Sequence, residues 1–316
     1  MARLSSSLDA RHWAAINEAS FVGGMRLLFW VCRVFGRWPF RIVLYPVLLW
    51  YVLTQGRARR ASSSYLARVG APHGLVGVLR HFGAFAEAIL DKMLLWGGLF
   101  DFNQVRLHGA EPLLAMAARG QGALLVCAHL GNLDLCRALS LRTPGLRVTV
   151  LVHTKHAQAF NDMLARLDPR SRLNLMQVTD MDAAMAMQLS ERIGRGEFVV
   201  IAGDRVPVAD RPRVTIAPFL GQPAAFPVGP WVMGAVLGCP VYAMFAARTS
   251  GGYDVHFERL LDAVSLPRRS RDAALAQLAA AYAARLEHHV RRTPLEWFNF
   301  YDFWRLPDTE PADAAQ

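Results

Sequence analysis

The residues best suited to chemistry in this 316-residue chain are His129 and Asp134, which are separated by four positions. They follow the apolar run 123–127, which predicts a buried strand, and strand ends are where α/β folds usually carry their active sites. An imidazole supported by a carboxylate makes a general base that works near neutral pH. We therefore expect His129 to be the base. Asp134, in the first turns of a following helix, should reach back and orient the imidazole.

Neighbouring residues suggest how a substrate is held. Gly131 and Asn132 suit a tight turn in which the backbone comes close to a ligand. The segment Gly203-Asp204-Arg205 follows another predicted strand, so it is a candidate to position substrate and stabilise an oxyanion. The chain has no Gly-x-Ser-x-Gly motif, and Cys127 and Cys136 are poorly placed to attack. The substrate must therefore supply the nucleophile, such as a hydroxyl that attacks an activated acyl carbon.

A second group of polar residues, His153, Lys155 and His156, follows a predicted strand at 148–152. Two histidines three positions apart, with no carboxylate or third ligand nearby, are a weak signal for a metal. We expect neither a metal nor a cofactor. Lys155 has two interpretations: a contact to a phosphate or carboxylate of the substrate, or a solvated loop lysine.

The composition favours a lipid surface as a partner. The net charge is +10, 53% of the residues are hydrophobic and only 19% are charged. A basic, apolar protein suits an anionic membrane. Nucleic acid is disfavoured because the basic stretches at 57–60, 268–271 and 291–292 lack interleaved aromatic residues. The four cysteines have no zinc spacing, and we expect no removable signal peptide.

Residues 1–56 are interpreted as a membrane-associating segment. The apolar region from 21 to 53 is interrupted by a Gly-Arg-Trp-Pro break and by four arginines, namely Arg26, Arg33, Arg37 and Arg41. Neither half reaches the roughly 18–20 apolar residues of a spanning helix. The favoured interpretation is a hydrophobic helical hairpin that dips into one leaflet, with arginines on one face. A single tilted span and a buried core hairpin are the alternatives.

The rest of the chain predicts an α/β fold with a mixed central sheet flanked by helices. Residues 56–113 read as helical, including a long pattern from 75 to 95, and the tail 306–316 reads as disordered. From about 120 onward, strands and helices alternate. The predicted strands are 123–127, 148–152, 174–178, 198–202 and 241–246; the predicted helices are 134–140, 157–167, 183–194 and 271–291.

Four blocks carry a family resemblance. They are the His-x4-Asp motif from His129 to Asp134, the Gly-Asp-Arg turn at 203–205, the block Ala-Pro-Phe-Leu-Gly-Gln-Pro-Ala-Ala-Phe at 217–226, and the small-residue helix and strand at 227–248. With these blocks the chain resembles the lysophospholipid acyltransferase superfamily. Within it, the chain is most similar to the bacterial lipid A late (lauroyl and myristoyl) acyltransferases. The resemblance spans roughly residues 20–305.

This resemblance implies an acyltransferase domain over 57–305, in which His129 is the base and Asp134 its orienting partner. Asp204 and Arg205 would position substrate. An acyl carrier protein or acyl-CoA would be the donor and a lipid or lipid-like hydroxyl the acceptor, at the cytoplasmic face of a bacterial inner membrane.

The chain departs from the lipid A enzymes in two places. It has Arg205 where they tend to have glutamine, and its aromatic block at 297–304 differs from their usual ending. These departures favour a sister family with another lipid acceptor. Two further alternatives are a thioesterase that uses the same pair on water and a non-catalytic membrane-binding homologue.

Overall fold

The computed structural model describes residues 30–143, 145–152, 175–177, 183–206 and 212–306. The helices named within these residues are α1 (Trp38–Thr54), α2 (Gly56–Val69), α3 (Leu75–Trp96), α4 (Glu111–Ala118), α5 (Asp134–Arg142), α6 (Ala183–Gly194), α7 (Gly229–Leu237) and α8 (Arg271–Arg292). The strands are β1 (Val105–His108), β2 (Leu124–Gly131), β3 (Arg147–Val152), β4 (Leu175–Gln177), β5 (Glu197–Ala202), β6 (Val214–Phe219), β7 (Gln222–Pro227), β8 (Val241–Thr249) and β9 (Gly252–Leu261).

Seven of these strands form one mixed sheet in the order β1-β9-β8-β2-β5-β3-β4. Strands β8, β2, β5, β3 and β4 run parallel to one another, whereas β9 is antiparallel to β8 and β1 pairs with β9 in parallel. Strands β6 and β7 form a separate hairpin. The predicted fold class, an α/β fold with a mixed central sheet flanked by helices, is confirmed.

Strand β2 lies at the centre and is buried on both faces. Leu124, Val126 and Ala128 pack into one hydrophobic cluster, while Leu125 and Cys127 pack into another. Successive side chains of a strand point to opposite faces, so a strand covered by helices on both sides must be apolar at every position. This explains why the sequence here is a continuous apolar run, and it places the following residue, His129, at the carboxyl end of a central strand.

Several predicted elements are confirmed with small shifts in their bounds. The helices predicted at 75–95, 183–194 and 271–291 match α3, α6 and α8. The prediction that residues 56–113 are helical is wrong at 105–108, where β1 pairs with the first half of β9. Strands β6, β7 and β9 were not predicted. The predicted helix 157–167 lies outside the described residues.

The N-terminal helices are present, and α1 is held to α3 by ion pairs. Arg37 contacts Glu87 and Asp91, and Arg41 Nε donates to Glu87 Oε1 over 2.5 Å. Arg248, from β8, contacts the same two carboxylates. The expectation that Arg37 belongs to an interfacial charged face is therefore corrected: Arg37, like Arg41, pairs with carboxylates of α3, because these carboxylates are buried and need cationic partners.

The opposite side of α1 leaves large apolar side chains exposed. They include Trp38, Ile42, Val43, Val47, Trp50 and Leu53. Within the part of the chain that the structure describes, no helix is both long enough and apolar enough to cross a membrane. Residues 25–29 of the first half of the predicted hairpin lie outside the described residues, so the hairpin itself stays a prediction.

The carboxyl end of β2 is irregular. Its pairing with β8 shifts register between Cys127 and Gly131, which is a β-bulge. Gly131 has φ +65°, and a Cβ built there would lie 1.8 Å from the Ala246 carbonyl oxygen. Bulges are frequent next to active sites because they redirect a side chain. Here the bulge brackets His129.

We predict that Gly131→Ala destabilises the fold strongly, because it adds a steric collision to an unfavourable φ. Gly120→Ala is the matched control, since Gly120 has φ +67° but no atom within 4 Å of the added Cβ. Urea unfolding should show a loss of about 1–2 kcal/mol for Gly120→Ala. The loss for Gly131→Ala should be larger by at least about 2 kcal/mol. Equal losses would contradict the close packing against Ala246.

Candidate active site

The site is built on a contact between the ends of two neighbouring parallel strands. His129 is at the end of β2, and Asp204 follows β5. His129 Nδ1 lies 2.8 Å from Asp204 Oδ1, and the His129 backbone N–H donates to Asp204 Oδ2 over 2.9 Å. The Asp204 side chain is fully buried, while the His129 side chain is 29% exposed. The imidazole is thus partly accessible, whereas the carboxylate that holds it is not.

The Asp204 carboxylate receives further hydrogen bonds from the C-terminal aromatic block. Trp297 Nε1 donates to Asp204 Oδ2 over 2.9 Å, and Asn299 Nδ2 donates to the same oxygen over 3.2 Å. Burial alone would raise the pKa of Asp204, but the charges and hydrogen bonds of His129 and the nearby charge of Arg205 lower it to about 2. Asp204 is therefore ionised at neutral pH.

The protonation of His129 follows from this contact. An ionised carboxylate can only accept hydrogen bonds, so Nδ1 of His129 must carry a proton. In the neutral imidazole, Nε2 is then unprotonated and able to accept a proton. Among the described residues, Nε2 makes no hydrogen bond. This arrangement has the parts of a general base: an oriented ring, a buried carboxylate and an open acceptor nitrogen.

Asp134 does not contact the imidazole, which corrects the predicted pairing with His129. Its Oδ2 lies 2.5 Å from Lys92 Nζ on α3, and its Oδ1 accepts from Arg137 Nη1 over 2.8 Å. Although burial would raise the pKa of Asp134, these two cations hold it below its usual value. The prediction failed because Asp134 begins α5 and its carboxylate faces α3, whereas the strand next to β2 supplies a different carboxylate.

The predicted turn residues have clear structural roles. Asn132 is buried, its Oδ1 accepts from the Asp134 N–H over 3.2 Å, and its own N–H donates to the Ala246 carbonyl over 3.0 Å. The backbone that comes close to Gly131 is that of β8. A substrate contact for Gly131 or Asn132 stays a prediction, and Lys155 lies outside the described residues.

Arg205 is engaged with the C-terminal block. Its Nε donates to Asn299 Oδ1 over 2.7 Å and its Nη2 to the Phe298 carbonyl over 2.5 Å. Arg205 therefore fixes the orientation of Asn299, one of the donors to Asp204. A direct contact of Arg205 with substrate stays a prediction.

The C-terminal block was not predicted to belong to the site. Its backbone pairs with the end of β2: the Phe298 N–H donates to the His129 carbonyl, and the Gly131 N–H donates to the Glu296 carbonyl, each over 2.8 Å. The available signal was Asn299, a polar residue in an aromatic run where pure packing would favour apolar side chains.

A buried histidine, His81, hydrogen-bonds to the backbone of this block. His81 Nε2 lies 2.9 Å from the Trp297 carbonyl oxygen, and His81 Nδ1 lies 2.8 Å from Ser62 Oγ. Burial lowers the pKa of His81 to about 4, so the ring is neutral at pH 7. The Trp297 carbonyl requires His81 to donate at Nε2 and accept from Ser62 at Nδ1.

The cysteine thiols near the site are not candidate nucleophiles. Cys127 and Cys136 are buried and free. Burial raises the pKa of Cys136 to about 12 and that of Cys127 well above its usual value. Neither thiol forms a thiolate near neutral pH.

The fold and the His129 site are those expected of an acyl-transferring enzyme, and comparison with known proteins identifies the class. Residues 102–306 match the family described as bacterial lipid A biosynthesis acyltransferase. Because the match covers more than half of the chain, the protein belongs to this family, and it is an acyltransferase. The resemblance inferred from the sequence motifs is confirmed.

Two curated relatives come from the same species. The phosphatidylinositol mannoside acyltransferase of Mycobacterium tuberculosis strain H37Rv is 25% identical over 279 residues, covering 80% of this chain and 83% of the relative. The protein of the same name from strain CDC 1551 is 23% identical over the same length and shares. Family and relatives together show an acyltransferase of lipid biosynthesis that acts on lipid-like acceptors.

We predict that Glu296 makes folding stability fall as the pH rises. Burial raises its pKa from 4.5 in the unfolded chain to about 7, so the folded state favours the protonated form. The stabilisation is complete below about 4.5 and is lost as the pH rises through about 7.

Thermal melts of wild type and Glu296→Gln at pH 5 and pH 8 test this. The amide keeps an acceptor for the Arg248 N–H, which lies 3.2 Å from Glu296 Oε2. The variant should lose less stability between the two pH values than wild type. The exposed Glu191→Gln is the control. If Glu296→Gln retained the full wild-type decline, the assignment to Glu296 would be wrong.

Proposed function

We propose that the protein is a membrane-associated O-acyltransferase that moves a fatty acyl group from an acyl thioester to a hydroxyl of a lipid or lipid-like acceptor. The observation that carries the proposal is the His129–Asp204 contact, with Nδ1 of a partly exposed imidazole held by a buried carboxylate. This is the arrangement that a general base needs in order to activate a hydroxyl.

The proposed reaction is a direct transfer. His129 Nε2 takes the proton of the acceptor hydroxyl while its oxygen attacks the thioester carbonyl carbon, forming a C–O bond and a tetrahedral oxyanion. The intermediate collapses, the C–S bond breaks, and the thiolate leaves with the proton returned from the imidazolium. The products are an ester and a free thiol. Asp204 stabilises the imidazolium, the role that a carboxylate plays beside a catalytic histidine.

The donor and acceptor follow from the family in outline. Acyl-CoA or an acyl carrier protein supplies the thioester. The family description names lipid A biosynthesis, and the relatives are phosphatidylinositol mannoside acyltransferases, so sugar-bearing phosphorylated lipids are the acceptors to test first. The departures from lipid A enzymes at Arg205 and in the aromatic block support an acceptor other than lipid A.

Membrane association is supported by the outer side of α1. Since Arg37 and Arg41 pair with carboxylates of α3, the outward side presents mainly apolar groups, with Trp50 66% exposed. Exposed apolar patches of this kind mark interaction surfaces, and tryptophan favours the headgroup region.

Adjacent basic residues complete this surface. Arg57 and Arg60 are exposed at the start of α2. Arg59 donates to the Val52 and Leu53 carbonyls instead, so it satisfies the end of α1. We propose that α1 and these two arginines bind the cytoplasmic face of a bacterial inner membrane, where anionic headgroups attract cationic residues.

We predict that His129→Ala and Asp204→Asn each remove most acyl transfer. Purified protein in detergent is given radiolabelled acyl-CoAs or acyl carrier proteins and a panel of lipid acceptors. Turnover should fall about 10²- to 10⁴-fold for His129→Ala, the usual contribution of a general base. Asp204→Asn should fall by about 10²-fold or more, because an amide cannot stabilise the imidazolium.

Asp302→Asn, which changes an exposed carboxylate within the aromatic block, is the matched control and should keep its turnover. A labelled lipid ester that depends on His129 supports the proposal. Labelled free fatty acid as the sole His129-dependent product, across the whole acceptor panel, would favour a thioesterase instead. Near-normal ester formation by His129→Ala would refute the mechanism.

We also predict that Trp50→Glu weakens binding to vesicles containing anionic phospholipid, by about tenfold or more, because it places a carboxylate where an indole would be buried. Met187→Glu is the matched control, since Met187 is 74% exposed on α6, away from α1. Vesicle sedimentation compares the two variants with wild type. Equal binding by all three proteins would show that α1 is not the membrane contact.

A further inference from the structure

Outside the active site, a row of ligand-type side chains runs along β9. Asp254, His256 and Glu258 alternate along this strand, so they point to the same face of the sheet. Strand β1 contributes His108, which pairs in register with His256, and α8 contributes His289. Three separate elements therefore bring three imidazoles and two carboxylates together.

The three imidazole rings pack one against the next, with His256 in the middle. The ring centroids of His108 and His256 are 4.4 Å apart with the planes nearly parallel, and those of His256 and His289 are 4.8 Å apart.

Two overlapping sets of three residues have ligand atoms within 4.8 Å of one another: His108 with Asp254 and His256, and His256 with Glu258 and His289. In the first set, both Asp254 oxygens accept hydrogen bonds from Arg106, over 2.6 and 3.2 Å. In the second, Arg285 binds Glu258 Oε2, and Glu258 Oε1 faces His289 Nε2 at 2.7 Å. In the second set, a carboxylate oxygen that Arg285 does not bind therefore lies against His289.

We propose that His256, Glu258 and His289 form a zinc site that joins helix α8 to strand β9. Two imidazole nitrogens and one carboxylate oxygen are a ligand set that Zn²⁺ accepts, with water in the fourth position. On tetrahedral zinc, with bonds of about 2.0 Å, ligand atoms lie about 3.3 Å apart. The present spacings, from 2.7 Å to at most 4.8 Å, bracket this value.

The position of this site suggests a structural role. His289 is in the last turn of α8, which continues through Thr293 into the block that carries Trp297 and Asn299. These two residues donate to Asp204. Zinc at the end of α8 would therefore fix the position at which the C-terminal block begins, without contacting the reacting groups themselves.

Zinc binding to the full-length protein without a histidine tag tests the proposal. Competition with a chromophoric chelator measures affinity, and Co²⁺ substitution reports tetrahedral geometry by its visible absorption. Wild type should bind one zinc per chain. His256→Gln, Glu258→Gln and His289→Gln should each weaken binding about a hundredfold or more. His288→Gln is the control at the adjacent helical position and should bind as wild type does.

Circular dichroism, recorded with chelator present, compares the folding of each metal-free variant with that of metal-free wild type. Because His289 packs against Phe245, Glu258→Gln and His256→Gln decide the outcome if His289→Gln does not fold. Zinc should raise the melting temperature of wild type and leave that of Glu258→Gln unchanged. The proposal is overturned if wild type binds no zinc, if all variants bind equally, or if Asp254→Asn abolishes binding while Glu258→Gln does not.

Discussion

The buried carboxylate of Asp204 is the interaction on which the site depends. It accepts from the backbone and the imidazole of His129, and from Trp297 and Asn299 of the C-terminal block. A buried charge is tolerated only when it is paired and hydrogen-bonded, so these groups must assemble together. One side chain thus joins β2, the turn after β5 and the C-terminal block, and it fixes which imidazole nitrogen is free to act.

A second buried charge cluster determines what the protein presents to its surroundings. Glu87 and Asp91 of α3 pair with arginines of the N-terminal region and with Arg248 of the central sheet. Tyr253 donates to Asp91 as well, over 2.7 Å. These contacts orient α1 with its arginines toward the protein and its apolar side chains outward. The same cluster therefore links the proposed membrane surface to the sheet that carries the site.

Patterns within one element were readable from the sequence, whereas pairings between distant elements were not. The apolar run before His129 and the helical periodicity of α3, α6 and α8 depend on local burial, and their predictions are confirmed. The partner of His129 depends on strand order, because β5 lies beside β2 although β3 and β4 intervene in the sequence. Asp134 was predicted to orient His129 because it is close to it in the sequence. Asp204 was predicted to be a site residue, but its contact with His129 was not predicted.

The central claim is that Asp204, and not Asp134, orients His129. Nitrogen-15 NMR of histidine-labelled protein in detergent measures directly which ring nitrogen carries the proton. The account predicts that His129 is protonated at Nδ1 in wild type and in Asp134→Asn, and that this preference is lost in Asp204→Asn. A His129 tautomer that changes in Asp134→Asn but is unaffected in Asp204→Asn would contradict the account.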